Sequence, residues 1–379
     1  MALQTVVVNT FLGGFGPAQS LLSKDQDTSL AIAGLHGTAM GVASVIAGAM
    51  MPFLAHRFGR ANSGWIGILV FTAGLAMMIA GISDVRLTIT AALIAGIGVS
   101  IVMNTFVTAL NGHFGDKAPL AVSQGNGISS VGYVTGTAVV GSIAVFAPAY
   151  WPLGLLIPVP LILFLFFVMR EKSDGPREVS TEKKQSGKLS LRFWFAWAGF
   201  VGSIGTEFST LFWASKLIEE RGLAKAAIAT VAVMCFGTGM GIGRWFGGRV
   251  LHRFALDAQV MIILALQLLG FLIFWSSQHL IVSLIALFMT GTGVSMQFAL
   301  QSLRLISLSD NRPDLAIGRS GMGVGISIGG FPFFLGVLGD EFGITKAYAL
   351  VPITIVIIMV LVKLSPTHVP QKTLDDLEI

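Results

Sequence analysis

Stretches of about twenty apolar residues, parted by short polar turns, follow one another along this whole chain. A helix that crosses a bilayer needs roughly 20 such residues. Twelve spans are predicted, near 2–23, 30–55, 62–82, 87–112, 120–146, 150–170, 190–217, 224–251, 258–277, 279–306, 315–339 and 344–364. One long polar stretch interrupts them, Glu171 to Leu189, rich in Lys, Glu, Ser and Gly. It reads as a linker. The expected organisation is a six-helix bundle over 1–170, a cytoplasmic linker over 171–189, a second six-helix bundle over 190–364 and a cytoplasmic tail over 365–379. The predicted class is therefore an all-α membrane protein.

The two halves echo each other. Gly96-Ile-Gly-Val-Ser100 recurs as Gly291-Thr-Gly-Val-Ser295, 195 residues on, and Leu120-Ala121 recurs as Leu315-Ala316 at the same offset. Leu54-Ala-His-Arg-Phe58 is echoed by Val250-Leu-His-Arg-Phe254. A half-length repeat in a polytopic membrane protein predicts two pseudo-symmetric bundles that rock about a central site.

Composition agrees with the spans and removes other classes. Only 11% of residues are charged, against roughly 25% in a soluble domain. The 46 glycines suit close helix packing in lipid. A pI near 9.5 would suggest nucleic acid in a soluble protein, but here the basic residues gather in alternate loops, and no nucleic-acid partner is expected. With both termini inside, six of the 24 Lys and Arg fall in outer loops and 18 on the inner side. That asymmetry predicts cytoplasmic termini in a cell (inner) membrane. Cys235 is the single cysteine, which excludes a disulfide framework or a cysteine metal site. The first span has no basic segment before it and no cleavage site, so it reads as retained. There is no HExxH, no Gly-x-Ser-x-Gly and no P-loop, so neither an intramembrane enzyme nor an ATP-driven pump is expected. No cofactor or metal is called for.

Pro52-Phe-Leu-Ala-His-Arg-Phe-Gly-Arg60 resembles the loop 2–3 signature of the major facilitator superfamily, Gly-x-Leu-Ala-Asp-Arg-x-Gly-Arg, and Gly248-Arg-Val-Leu-His-Arg-Phe-Ala255 is its counterpart in the second half. The resemblance implies alternating access, a monomer, and a pathway lined by spans one, four, seven and ten. The usual Asp is replaced by His56 and His252, which cannot supply a permanent negative charge. The cytoplasmic gate is then expected to rest on Arg57, Arg60, Arg249 and Arg253 against helix C-termini, unless these are simple positive-inside anchors. Gly202-Ser-Ile-Gly-Thr-Glu-Phe-Ser-Thr-Leu-Phe-Trp213, followed by Gly239-Met-Gly-Ile-Gly-Arg244, looks like the fucose-permease-like branch of that superfamily. Spans one and four lack the acids of fucose permeases proper, which puts fucose itself in doubt.

Glu207 is the single carboxylate well inside a predicted span. A carboxylate in a membrane is costly and marks function by default. It stands about 13 residues beyond Trp194, or roughly 20 Å along the axis, which places it in the outer half. Its expected role is proton coupling; the bland alternative is a structural contact with hydroxyls or Lys216. Candidate substrate-lining groups are Gln19, Asn104, Trp213, Gln297 and Gln301, since amides both donate and accept. Gln19 is expected beside Glu207 in the outer half, with the other amides nearer the cytoplasm. Arg244, Arg304 and Arg319 are expected to snorkel to the inner interface or to meet Asp310 or Asp314, with direct binding of an anionic solute by Arg304 as the alternative. His36 reads as a packing residue, with a proton relay as the alternative. The glycines of span five are expected to face those of span eleven. Drug antiporters of the superfamily carry Gly-Pro in span five, where this chain has Gly132-Tyr133. The leading expectation is a secondary active transporter of a small polar solute, driven by H⁺. An exporter of amphipathic compounds is the alternative, and a non-transporting receptor or scaffold on a carrier fold is the alternative of another class.

Overall fold

A computed structural model describes residues 2–114, 118–169, 187–225, 231–310 and 312–367. Residues 226–230 of predicted span eight, most of the linker and most of the tail lie outside that set. Regular structure among the described residues is wholly helical. Spans one to five are Ala2–Asp25, Leu30–Phe58, Arg60–Ala80, Val85–Phe114 and Ala118–Phe146. Span six is a 3-10 helix, Pro148–Leu156, followed by Pro158–Met169. Spans seven to nine are Leu191–Glu220, Val231–Leu251 and Leu256–Ser276. Span ten comes in two pieces, Leu280–Val294 and Gln297–Ser307; span eleven is Pro313–Phe342, and span twelve is Ile344–Ala347 then Leu350–Leu364. These are the twelve helices of the predicted class.

The helices start and stop where side chains can serve the free ends. Ser29 Oγ accepts from the Ile32 amide at 3.2 Å and Ser190 Oγ from Phe193 at 3.2 Å, each capping a span. Gly59, at φ +80°, turns span two directly into span three. That is a left-handed conformation other residues adopt only with strain.

Nine of the described helical segments are apolar enough to cross a membrane by length and composition alone. Spans one and seven fall short of that standard; they carry polar groups described below, and their Gln4, Asn9, Gln19, Ser203, Thr206 and Ser209 are buried inside the protein. Span eight is described only from Val231.

Each half has its own apolar core. Phe11, Phe15, Phe71, Ala95 and Trp151 anchor the first, and Phe271, Phe274, Val260, Tyr348 and Ile355 the second. Glycine sets the spacing: a Cβ on Gly136 would lie 1.7 Å from the Thr10 carbonyl, so spans one and five touch through backbone. Gly132 likewise meets Val6, whereas Gly325 and Gly329 of span eleven meet Gly41 and Thr38 of span two. The glycine runs of spans five and eleven therefore do not face each other, contrary to expectation. The two spans are repeat equivalents, so symmetry gives each its own partner in the opposite half: eight for five, two for eleven.

We call the side carrying Ala2 and the Phe58–Arg60 turn the near face, and the side carrying the span one–two turn the far face. The halves meet tightly toward the far face. Gly16 abuts Leu211, and Lys24 pairs with Glu219. Both contacts join positions 195 apart, the repeat offset, so spans one and seven meet on the pseudo-twofold axis. Asp340 of span eleven accepts from the Leu30 and Ala31 amides at 2.8 and 2.7 Å, capping span two across the seam. Spans two and eleven then part toward the near face. In the register set by Gly34 on Phe333 and Gly41 on Gly325, Gly48 should meet Gly318, yet among the described residues no neighbouring helix comes within 4 Å of the Cβ position of either. The seam is shut at the far face and opens toward the near one.

Candidate functional site at the seam

Span seven is 30 residues long, and Glu207 stands near its middle. Arg244 comes from span eight, whose N-terminus points to the far face. Side chains lean toward the helix N-terminus, so the long Arg244 chain climbs from the near half to meet Glu207. Arg244 Nη2 lies 3.9 Å from Glu207 Oε1, with the two side chains 20% and 12% accessible. The guanidinium reaches two further spans, donating to the Ser295 carbonyl and to Ser130 Oγ, each at 3.3 Å. Ser130 belongs to the first half, so the charge pair touches both halves.

The Ser295 carbonyl is available because span ten breaks between Val294 and Gln297. The same repeated motif in span four, Gly96 to Ser100, stays helical. The break is held by Gln297, whose Nε2 donates to the Gly293 carbonyl at 3.2 Å and to Gln267 Oε1 at 2.6 Å. Gln267 in turn donates to Thr206 Oγ1 at 3.1 Å, beside Glu207.

Tyr133 of span five completes the site. Its ring covers Gly237, where a Cβ would lie 2.5 Å away, and its hydroxyl lies 3.9 Å from the Cβ position of Gly16. That is the height of Leu211, one turn from Glu207 on the same face of span seven. Among the described residues the buried Tyr133 hydroxyl has no hydrogen-bond partner. About a turn farther toward the far face, Gln19 is fully buried and neither of its amide atoms has a partner among the described residues. A buried polar atom left unpaired costs about 1–3 kcal/mol.

A family model described as Major Facilitator Superfamily matches residues 1–314. The chain belongs to the Major Facilitator Superfamily. Its fold matches the E. coli fucose:proton symporter FucP at TM-score 0.67 and 16% identity, covering 97% of this chain and 98% of that one. The human organic anion transporter MFSD10 (TETRAN) matches at 0.67 and 16%, with 95% and 96% covered. A superfamily transporter, FucP in the outward conformation, matches at 0.65 and 15%, with 97% and 98% covered. At such identities the likeness is one of fold. No curated protein sequence matches. Superfamily membership makes this a multi-pass membrane transporter of a small-molecule substrate.

Several expected placements change. Arg244 reaches Glu207, near the middle of span seven, rather than the inner interface, because its side chain leans back toward the start of span eight. Lys216 is not the partner of Glu207 and lies 3.9 Å from Glu219. Arg304 is fully buried and pairs with Asp257 at 2.7 Å. It also donates to Gln301 Oε1 at 3.1 Å and to the Ser365 carbonyl at 2.7 Å. Asp310 pairs instead with Arg312 at 3.3 Å, and the Asp314 side chain lies outside the described positions. Arg319 lies over the Trp194 ring at 5.9 Å. His36 is a packing residue, bonded to the Ala33 carbonyl at 3.0 Å and Thr88 Oγ1 at 2.9 Å.

Of the amides, Gln301 donates to Ser203 Oγ at 3.2 Å and, with Gln297, joins a polar network within the second half. Asn104 is half-buried on span four. Trp213 is fully buried, its Nε1 held by the Pro332 carbonyl at 2.9 Å. On the near face His56, Arg57, Arg249 and Arg253 are exposed, and His252 Nδ1 lies 2.7 Å from the Arg249 carbonyl. The Arg60 side chain lies outside the described positions. Sequence reasoning missed Tyr133, Ser130 and Ser295. Tyr133 carried a signal: a tyrosine in mid-span must find a partner for its hydroxyl.

Proposed function

We propose that this protein is a secondary active transporter that carries a small polar solute by alternating access, with a proton riding on Glu207. The bundles 1–170 and 190–364 rock about the seam, and the near face is cytoplasmic. The observation that carries the proposal is the Glu207–Arg244 pair, which bonds through Ser130 to the other half. Protonating Glu207 cancels one charge of the pair and releases Arg244, so the proton is linked to a contact that must change when the bundles rock. Conversely, a solute that engages Arg244 or Tyr133 alters the cost of holding Glu207 charged. The far-face closure, Lys24–Glu219 and Asp340 on span two, is then the gate that opens to the outside. Arg57, Arg60, Arg249 and Arg253, with His56 and His252, close the cytoplasmic side in the alternate state. Gln19 and Asn104 line the pathway; Gln297, Gln301 and Trp213 hold its second-half wall. The carrier works as a monomer in the cell membrane.

The test is solute-dependent proton movement in proteoliposomes, screened over sugars, sugar acids, polyols, amino acids and cationic dyes. The proposal expects a pH change specific to one chemical class. Equal solute uptake without any proton movement would sink the coupling, and no uptake across the screen would sink the transport reading.

A further inference from the structure

Resting on that reading, we infer that the solute is a small hydroxylated carboxylate. Its carboxylate takes Arg244 in place of Glu207, and its hydroxyls meet Tyr133 and Gln19.

Span seven packs against spans one, eight, ten, eleven and twelve, and the titratable groups on them are mostly engaged elsewhere. Lys24 and Lys216 are with Glu219 at the far face. Arg304 is with Asp257, Arg319 is over Trp194, and Tyr348 donates to the Ser209 carbonyl. Beside Glu207 stand Arg244 of span eight and, from span five, Tyr133. The pair is formally neutral. An anion that displaces Glu207 from Arg244 strands a carboxylate in a medium that penalises bare charge. One proton taken up by a Glu207 carboxylate oxygen restores neutrality. The anion and the proton then cross together, one of each, and no bond other than O–H is made or broken. A neutral solute has no claim on a guanidinium that Glu207 already holds, and a cation would have to stand beside Arg244.

Among the described residues the Tyr133 hydroxyl and Gln19 Nε2 are buried without partners, and both can donate to hydroxyl oxygens of a solute held at Arg244. Gln19 Oε1, also unpartnered, is an acceptor and suits a hydroxyl. By the offset that sets Gly16 on Leu211, Glu207 stands level with Leu12. Gln19 lies seven residues farther along span one, about 10 Å at 1.5 Å per residue. A bare carboxylate at Arg244 does not reach that amide; a short hydroxylated chain does. Arg304 is not the anion site. Its guanidinium is fully buried and already bonded to Asp257, Gln301, Ser365 and the Val362 carbonyl.

The test compares gluconate, glucuronate and lactate with glucose, fucose and acetate. Thermal shift of the purified protein reads binding, and proton flux in proteoliposomes reads coupling. Loss of a charge-assisted bidentate contact weakens binding by about tenfold or more. At least one hydroxylated carboxylate should therefore bind about tenfold more tightly than glucose or acetate. Arg244→Gln should lose that margin while Arg244→Lys keeps part of it. Tyr133→Phe and Gln19→Ala should each weaken the carboxylate by several-fold, and Glu207→Gln should still bind it while moving no protons. Monodispersity of each variant on size exclusion establishes that it folds. Equal binding of glucose and gluconate, or unchanged carboxylate affinity in folded Arg244→Gln, overturns the inference. If neutral sugars alone drive proton flux, the inference falls and the transport reading stands. If neither class binds or moves, both fall.

Discussion

Arg244→Ala removes the cation and leaves Glu207 partly buried at mid-span. At 3.9 Å and an effective dielectric near 20, the attraction is about 4 kcal/mol before desolvation is counted. The cost of holding both ions away from water offsets part of this, and Arg244 is 20% accessible, so a coupling of about 2 kcal/mol is expected. Arg244→Ala alone should destabilise by about 3 kcal/mol, because the stranded carboxylate adds to the lost bonds with Ser295 and Ser130. Glu207→Gln keeps the shape and a polar head, and should cost about 1 kcal/mol. The double variant should then cost about 2 kcal/mol less than the two singles added together. Reversible unfolding in mixed micelles measures all four corners of the cycle. Additivity to within about 0.5 kcal/mol would show that the two side chains do not interact, and would remove the basis for the site.

Asp257→Ala leaves the fully buried Arg304 without its carboxylate and should cost about 3–5 kcal/mol. Lys24→Ala should cost no more than about 1 kcal/mol, since Lys24 is 46% accessible; the same unfolding assay ranks the two. Gly136→Ala places a methyl 1.7 Å from the Thr10 carbonyl and should destabilise by about 3 kcal/mol, as spans one and five must separate. Normal stability would mean that this contact is wrong. Asp340→Ala removes the two cross-seam bonds to the start of span two and leaves Ser29 to cap it alone; the loss is worth about 1 kcal/mol and should favour opening of the far face. In a Cys235→Ala background, labelling at Ser215→Cys from that side should quicken by about fivefold. An unchanged rate would remove Asp340 from the gate.

Much of the fold was legible because membrane helices announce themselves by length and hydropathy. The two-half arrangement was carried by the Gly96 and Gly291 motifs. Hydropathy does not report what a helix faces, however, so the glycines of spans five and eleven were matched by likeness when symmetry gives them different partners. Glu207 stood out because a membrane carboxylate is rare. Its partner did not, since Arg244 counted from the helix end looks cytoplasmic until the backward lean of its side chain is included. The break in span ten was hidden as well: Ser100 and Ser295 end nearly identical motifs, and Gln297, bonded to Gln267, stands where the first copy has Val102. Tyr133 was noticed for the proline it lacks rather than for its own hydroxyl.

The central claim is that the proton that drives solute accumulation rides on Glu207, while exchange of the solute down its own gradient does not require that proton. The most direct measurement sets counterflow beside gradient-driven accumulation for the solute identified in the proteoliposome screen, in wild type and Glu207→Gln. The variant should exchange solute across the membrane yet fail to concentrate it when a pH gradient is imposed, whereas wild type does both. Full pH-driven accumulation in Glu207→Gln would contradict the account and move the coupling to another group.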